Sequence, residues 1–167
     1  MQPTILIVED TEDDRLLAKI GLKAANLPFS FEFVCDGYEA MQYLERKEQY
    51  ADRAIYSEPC VLITDLKMPR VDGFALLSWI RNNPIWTRLP VIVWSSSMLE
   101  EDQRAADACG ADAYVIKSMQ GRVPADLVRA ILDCTAVAPK CSFWSFWGAC
   151  FSSALECVKL WGKGSAS

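Results

Sequence analysis

The chain predicts an α/β fold, a buried parallel sheet covered by helices on both faces, and three features carry that prediction. Five short apolar runs, at about 4–8, 30–35, 60–64, 90–94 and 113–116, alternate with amphipathic stretches long enough for helices. The runs are apolar at nearly every position, as in strands buried on both sides. Helix-start signals fall between them, each a small polar or acidic residue with an acid three positions on.

Taken in order, Ile5-Leu6-Ile7-Val8 passes directly into Glu9-Asp10, and Thr11 with Asp14 starts the first helix. The second run, around Phe31 to Val34, leads to Asp36, which with Glu39 opens the second helix. Residues 48–59 are polar, end in a proline and read as a surface loop. The third run, Val61-Leu62-Ile63-Thr64, ends in Asp65, and Asp72 is placed to cap a helix from Gly73 to Arg81. The fourth, Pro90-Val91-Ile92-Val93-Trp94, ends in Ser95-Ser96-Ser97, where Ser97 with Glu100 marks the next helix start. The fifth, Ala113-Tyr114-Val115-Ile116, ends in Lys117. Ala138-Pro139 breaks the last helical pattern, because proline cannot continue a helix. The expected division is a domain over 1–139 and a tail over 140–167.

In an open parallel sheet ligands bind outside the carboxyl ends of the strands. If the first and third runs are neighbours, Glu9, Asp10 and Asp65 converge on one crevice. Acids so placed repel one another unless a cation or a lysine offsets the charge, and hard, oxygen-seeking Mg²⁺ is the natural occupant. Asp14, Asp36, Glu39, Asp72 and Glu100 are explained as helix caps or first-turn acids. Glu9, Asp10 and Asp65 precede the caps and are harder to explain that way, which leaves solvated loop acids or a shared site as their readings.

Composition narrows the function. The 51% apolar share of 167 residues supports a real core. Three lysines against Glu156 give residues 140–167 a net charge of +2, so 1–139 carry −7 of a total of −5. A domain this acidic does not suit nucleic acid. Histidine is absent, which removes the usual catalytic-zinc ligand and any phosphohistidine chemistry within the chain. Seven cysteines, odd in number and without a CxxC pair, read as reduced, packed thiols. No basic leader precedes the first strand and no membrane-length apolar run occurs, so a cytoplasmic location is expected.

An aspartate at a strand tip can attack phosphorus and form an acyl phosphate. An acidic pair, an acid, a hydroxyl and a lysine end the first, third, fourth and fifth strands, and in that order the chain closely resembles the response-regulator receiver domain. The resemblance covers about residues 3–136 through Ile-Leu-Ile-Val-Glu-Asp, Ile-Thr-Asp-Leu-Lys-Met-Pro-Arg-Val-Asp-Gly, Leu-Pro-Val-Ile-Val-Trp-Ser-Ser and Gly-Ala-Asp-Ala-Tyr-Val-Ile-Lys. The Asp-Gly-Tyr-Glu-Ala-Met-Gln-Tyr-Leu run, the long loop after it and the Lys-Ser pair look most like single-domain receivers that partner phytochrome-type histidine kinases.

That resemblance implies a flavodoxin-like five-stranded sheet in the order 2-1-3-4-5. It implies that Asp65 is the phosphoacceptor. It further implies Mg²⁺ held by Asp10, Asp65 and the backbone carbonyl of Lys67, with Glu9 acting through water. Ser95 takes the place of the switch hydroxyl, Lys117 that of the site lysine, and Tyr114 that of the aromatic whose rotamer follows the switch. The chain would be no enzyme beyond its own phosphorylation and slow dephosphorylation. Its partners would be a sensor histidine kinase and a downstream target or phosphotransfer protein, and its output face the fourth helix, fifth strand and fifth helix. Receivers often carry proline after the lysine. Here Ser118 follows, and since a cis bond before a non-proline residue costs about 2.5–4 kcal/mol, a trans bond is expected. Lys67 and Ser97 occupy positions that tune phosphoryl lifetime, and neither is an acid or amide suited to positioning water, so slow loss of phosphate is expected.

Two other functions compete with this one. A receiver-shaped binding module would work without phosphate, against which the complete acid, hydroxyl and lysine set argues. A phosphohydrolase of the haloacid-dehalogenase type would want an acid two residues after the nucleophile, where Lys67 stands. In the tail, Phe143, Trp147, Phe151, Leu155 and Val158 are spaced to share one helical face. It reads as an amphipathic helix docking on its own domain or on a second subunit in a homodimer. Membrane-surface attachment with lipidated Cys150 or Cys157, or a flexible end, are the other readings.

Overall fold

A computed structural model describes residues 2–118 and 123–137. Five strands, β1 (Thr4–Val8), β2 (Ser30–Val34), β3 (Pro59–Thr64), β4 (Val91–Ser95) and β5 (Ala113–Ile116), alternate with five helices. These are α1 (Glu12–Ala24), α2 (Gly37–Glu45), α3 (Gly73–Asn82), α4 (Glu100–Ala108) and α5 (Ala125–Val137). All strand pairs are parallel and the sheet order is β2-β1-β3-β4-β5, as the resemblance implied.

The two-residue period of a strand explains the layers. Ile5, Ile7, Val61 and Ile63 pack with Ala18 and Leu22 of α1 and with Leu127 and Ile131 of α5. Their alternates Leu6, Val8 and Leu62 pack with Tyr43 and Leu44 of α2 and with Leu76, Leu77 and Ile80 of α3. Strands covered on both sides must be apolar throughout, which is why they are legible as continuous runs.

Two helix starts differ from expectation. Asp36 and Asp72 are true caps, accepting from the backbone N–H of Glu39 at 2.9 Å and of Ala75 at 2.8 Å. Thr11 stands at the N-cap of α1 but makes no side-chain cap bond. The N-cap of α4 is Leu99 rather than Ser97. The Ser97 hydroxyl instead donates to Asp102 at 2.5 Å and accepts from the Leu99 N–H at 3.4 Å, which ties down the loop before the helix.

The 48–59 connection is more than a surface loop. It holds a short 3₁₀ turn, Glu48–Tyr50, whose Tyr50 is buried, and Tyr43, Tyr50 and Tyr56 pack edge to face or tilted with ring centroids 4.9–6.0 Å apart. Arg53 closes this cluster by donating to the carbonyls of Tyr43, Leu44 and Tyr56. Cys35, Cys109 and Cys134 are thiols and Cys60 is buried in the core. The Lys117–Ser118 bond is trans, since no described peptide bond is cis. Residues 140–167, expected to form the amphipathic tail, lie outside the described residues, as do Cys141, Cys150 and Cys157.

Candidate functional site

Register brings the site together. Val8 pairs with Thr64, Thr64 with Val93, and Ser95 with Ile116, so the residues that follow these strands share one edge of the sheet. The ladder continues into them: Asp65 N–H donates to the Val8 carbonyl at 3.2 Å and Lys117 N–H to the Ser95 carbonyl at 2.8 Å.

Lys117 is the centre of the cluster. Its Nζ lies 2.5 Å from Glu9 Oε2, 2.5 Å from Asp65 Oδ2 and 3.3 Å from Asp14 Oδ2. Glu9 is 1% exposed and Asp65 8%. Two carboxylates this deep would repel each other without the ammonium between them. Burial pushes the Glu9 carboxyl above its usual range, and the bonds from Lys117 only partly oppose it. Burial would lower the Lys117 ammonium, but the bonds to Asp65 and Glu9 outweigh it and the net shift is upward.

The second oxygen of Asp65, Oδ1, accepts the Leu66 N–H at 2.5 Å, which fixes the carboxylate plane. Gly73 explains how the backbone fits behind it: a Cβ there would stand 2.2 Å from the Asp65 carbonyl oxygen. Asp10 is half-buried at the same edge and is bonded through its carbonyl, to Arg15; among the described residues its carboxylate makes no hydrogen bond or ion pair. Lys67 lies in the turn after Asp65 with its side chain exposed.

Ser95, 1% exposed, ends β4, and its Oγ accepts from the Ser97 N–H at 3.4 Å. Tyr114 Oη donates to the Ser97 carbonyl at 2.9 Å, which links β5 to the loop after Ser95. Burial raises the Tyr114 phenol, so it stays a donor.

Two residues here went unread in the sequence. Asp14, which the sequence explains as a first-turn acid, faces Lys117 from the first turn of α1. Arg15 Nη1 donates to the carbonyls of Glu9 at 2.6 Å and Asp10 at 2.9 Å, holding the loop that carries both acids. Asp14 is 103 positions from its partner, and nothing local announces it.

Among the described residues no three Asp, Glu, Cys or His side chains stand as a ready metal group. The ammonium of Lys117 supplies the cation for Glu9 and Asp65. The donors at this edge are all oxygens, and Asp10 is uncommitted, so their chemistry suits a hard divalent cation.

The model of the response regulator receiver domain matches residues 5–131. Response regulator Rcp1 of Synechocystis sp. is 32% identical over 114 residues, which span 68% of this chain and 76% of that protein. The phosphorylated cyanobacterial phytochrome response regulator RcpA is similar in structure at TM-score 0.64, with 29% identity over 82% of this chain and 91% of that one. The bacteriophytochrome response regulator AtBRR has a TM-score of 0.70 at 30% identity, covering 80% of this chain and 93% of its own. Rcp1 is also known in a Mn²⁺-bound form. Because that family model matches well over half of this chain, the chain belongs to the response-regulator receiver domains.

Proposed function

We propose that the chain accepts a phosphoryl group on Asp65 from a sensor histidine kinase and signals by protein contact. The observation that carries this reading is the Lys117 ammonium lodged between Asp65 and Glu9 at the carboxyl edge of the sheet. The chain has no histidine, so the donor imidazole belongs to the kinase. An Asp65 carboxylate oxygen forms the new O–P bond, the P–N bond to the donor imidazole breaks, and the leaving nitrogen takes a proton. Oδ1 is held by the Leu66 N–H, which leaves Oδ2 to react once Lys117 moves to a phosphoryl oxygen.

Asp10, Asp65 and the Lys67 carbonyl, with Glu9 through water, would hold Mg²⁺, which supplies charge neutralisation for the phosphoryl oxygens. Glu9 and Asp14 keep the displaced Lys117 near the site. The Ser95 hydroxyl turns to the new anion, and its loop moves the Ser97 carbonyl that Tyr114 binds. A surface shifted from 1:99 to 99:1 needs about 5.5 kcal/mol of differential contact, within reach of a few charge-assisted hydrogen bonds. Met98, Leu99 and Ile116 are exposed on the α4–β5 side, where a target or phosphotransfer protein would read the change.

The similarity to RcpA and AtBRR supports a phytochrome-type kinase as donor. Slow loss of phosphate is part of the reading, because Lys67 and Ser97 are neither acids nor amides suited to positioning an attacking water, and the Ser97 hydroxyl is already engaged by Asp102 and Leu99. Among the described residues no helix is long and apolar enough to cross a membrane. Incubating the chain with candidate phosphorylated kinases tests the proposal. Label should appear on Asp65 and persist well beyond seconds; turnover of phosphate monoesters without a stable acyl phosphate would favour a hydrolase.

A further inference from the structure

Arg70 lies five residues beyond Asp65 in the β3–α3 turn and has a left-handed backbone, φ 62°. Glycine would adopt that conformation at less cost. Its guanidinium grips Asp36, which is 2% exposed at the N-cap of α2: Nε lies 2.6 Å from Oδ2, and Nη2 approaches the same oxygen. The guanidinium also lies 5.4 Å from the centroid of the Tyr38 ring.

Capping α2 uses only Asp36 Oδ1, a task that Ser or Asn would perform without a buried charge. The second oxygen and the charge serve Arg70. A backbone bond supports the same junction, from the Gly37 N–H to the Val71 carbonyl at 3.2 Å, and a Cβ at Gly37 would meet that carbonyl at 2.7 Å. The far end of the turn closes on the site, with the Gly73 N–H donating to the Leu66 carbonyl at 2.9 Å. The turn so held at both ends contains Lys67.

The geometry points to Arg70 as a positioning residue: its ion pair with Asp36 holds the turn in the shape that offers the Lys67 carbonyl to the metal. This rests on the Mg²⁺ reading above. Partners that orient metal ligands typically carry a 10–100-fold share of affinity.

The test titrates Mg²⁺ into the full chain, follows the amide shifts of Leu66 and Gly73 by NMR, and measures Asp65 labelling by acetyl phosphate at limiting and saturating Mg²⁺. Arg70→Ala should weaken Mg²⁺ binding about tenfold. Its labelling should slow at limiting Mg²⁺ and recover to within about twofold at saturation. Arg70→Gly, which suits the left-handed backbone, should regain stability but not affinity, and Arg70→Lys should restore affinity in part. Mg²⁺ affinity within twofold of the unsubstituted chain in both Arg70→Ala and Arg70→Gly would overturn the inference while leaving Asp65 phosphorylation intact. An unsubstituted chain that binds no Mg²⁺ would overturn the metal reading and this inference with it.

Discussion

Lys117 sets the chemistry at the scale of single residues. Replacing it with methionine leaves Glu9 and Asp65 buried and facing each other without a cation, a situation that costs about 3–5 kcal/mol when one partner of a buried pair is removed. Urea unfolding of Lys117→Met should show that loss without divalent cation and a partial recovery with Mg²⁺; an unchanged midpoint would contradict the bridging role. Because the ammonium is raised in the folded state, its contribution is complete below the ordinary lysine range and disappears only as pH climbs through the raised value. The acids, Ser95 and Lys117 were legible because each ends a strand that announces itself by composition. Asp14 and Arg15 were not, because on α1 both are first-turn polar residues, indistinguishable from a cap until α1 is laid against β1 and β5.

Elements hold those residues in place, and the start of α3 is the tightest point. A methyl group at Gly73 would strike the Asp65 carbonyl, which is backbone and cannot rotate away. Gly73→Ala should therefore cost about 1–3 kcal/mol by overpacking and slow labelling of Asp65, read by thermal unfolding and by the rate with a small phosphodonor. Asp72→Ala removes only a cap and should cost about 1 kcal/mol with little effect on labelling. The comparison separates general destabilisation of α3 from displacement of the acceptor. Helix starts were the least legible elements: Asp36 and Asp72 cap as local pattern implies, whereas Ser97 is drawn away by Asp102 and the Tyr114 bond, contacts that local spacing does not encode.

The whole molecule joins an acidic surface to a sheet whose order was implied by family likeness and is realised here by register. On the α2–α3 face, the tyrosine cluster fastens the long connection to the core, and it went unread because Tyr50 and Tyr56 lie in a polar stretch. Tyr43 is fully buried, donates to the Ser57 carbonyl at 2.7 Å, and burial pushes its phenol up to about 12. Between pH 10 and 12 the unfolded chain loses this proton while the folded chain keeps it, so stability falls as pH rises, by about 2–3 kcal/mol from this group. Tyr43→Phe should be less stable at neutral pH by about 1 kcal/mol, with a shallower alkaline decline in denaturant titrations. On the proposed function, this fold presents Asp65 to phosphorus. Intact-mass measurement of the chain and of Asp65→Asn after incubation with acetyl phosphate and Mg²⁺ tests it most directly. One phosphoryl group is expected on the unsubstituted chain and none on a folded Asp65→Asn; undiminished labelling of that variant would remove Asp65 from the acceptor role.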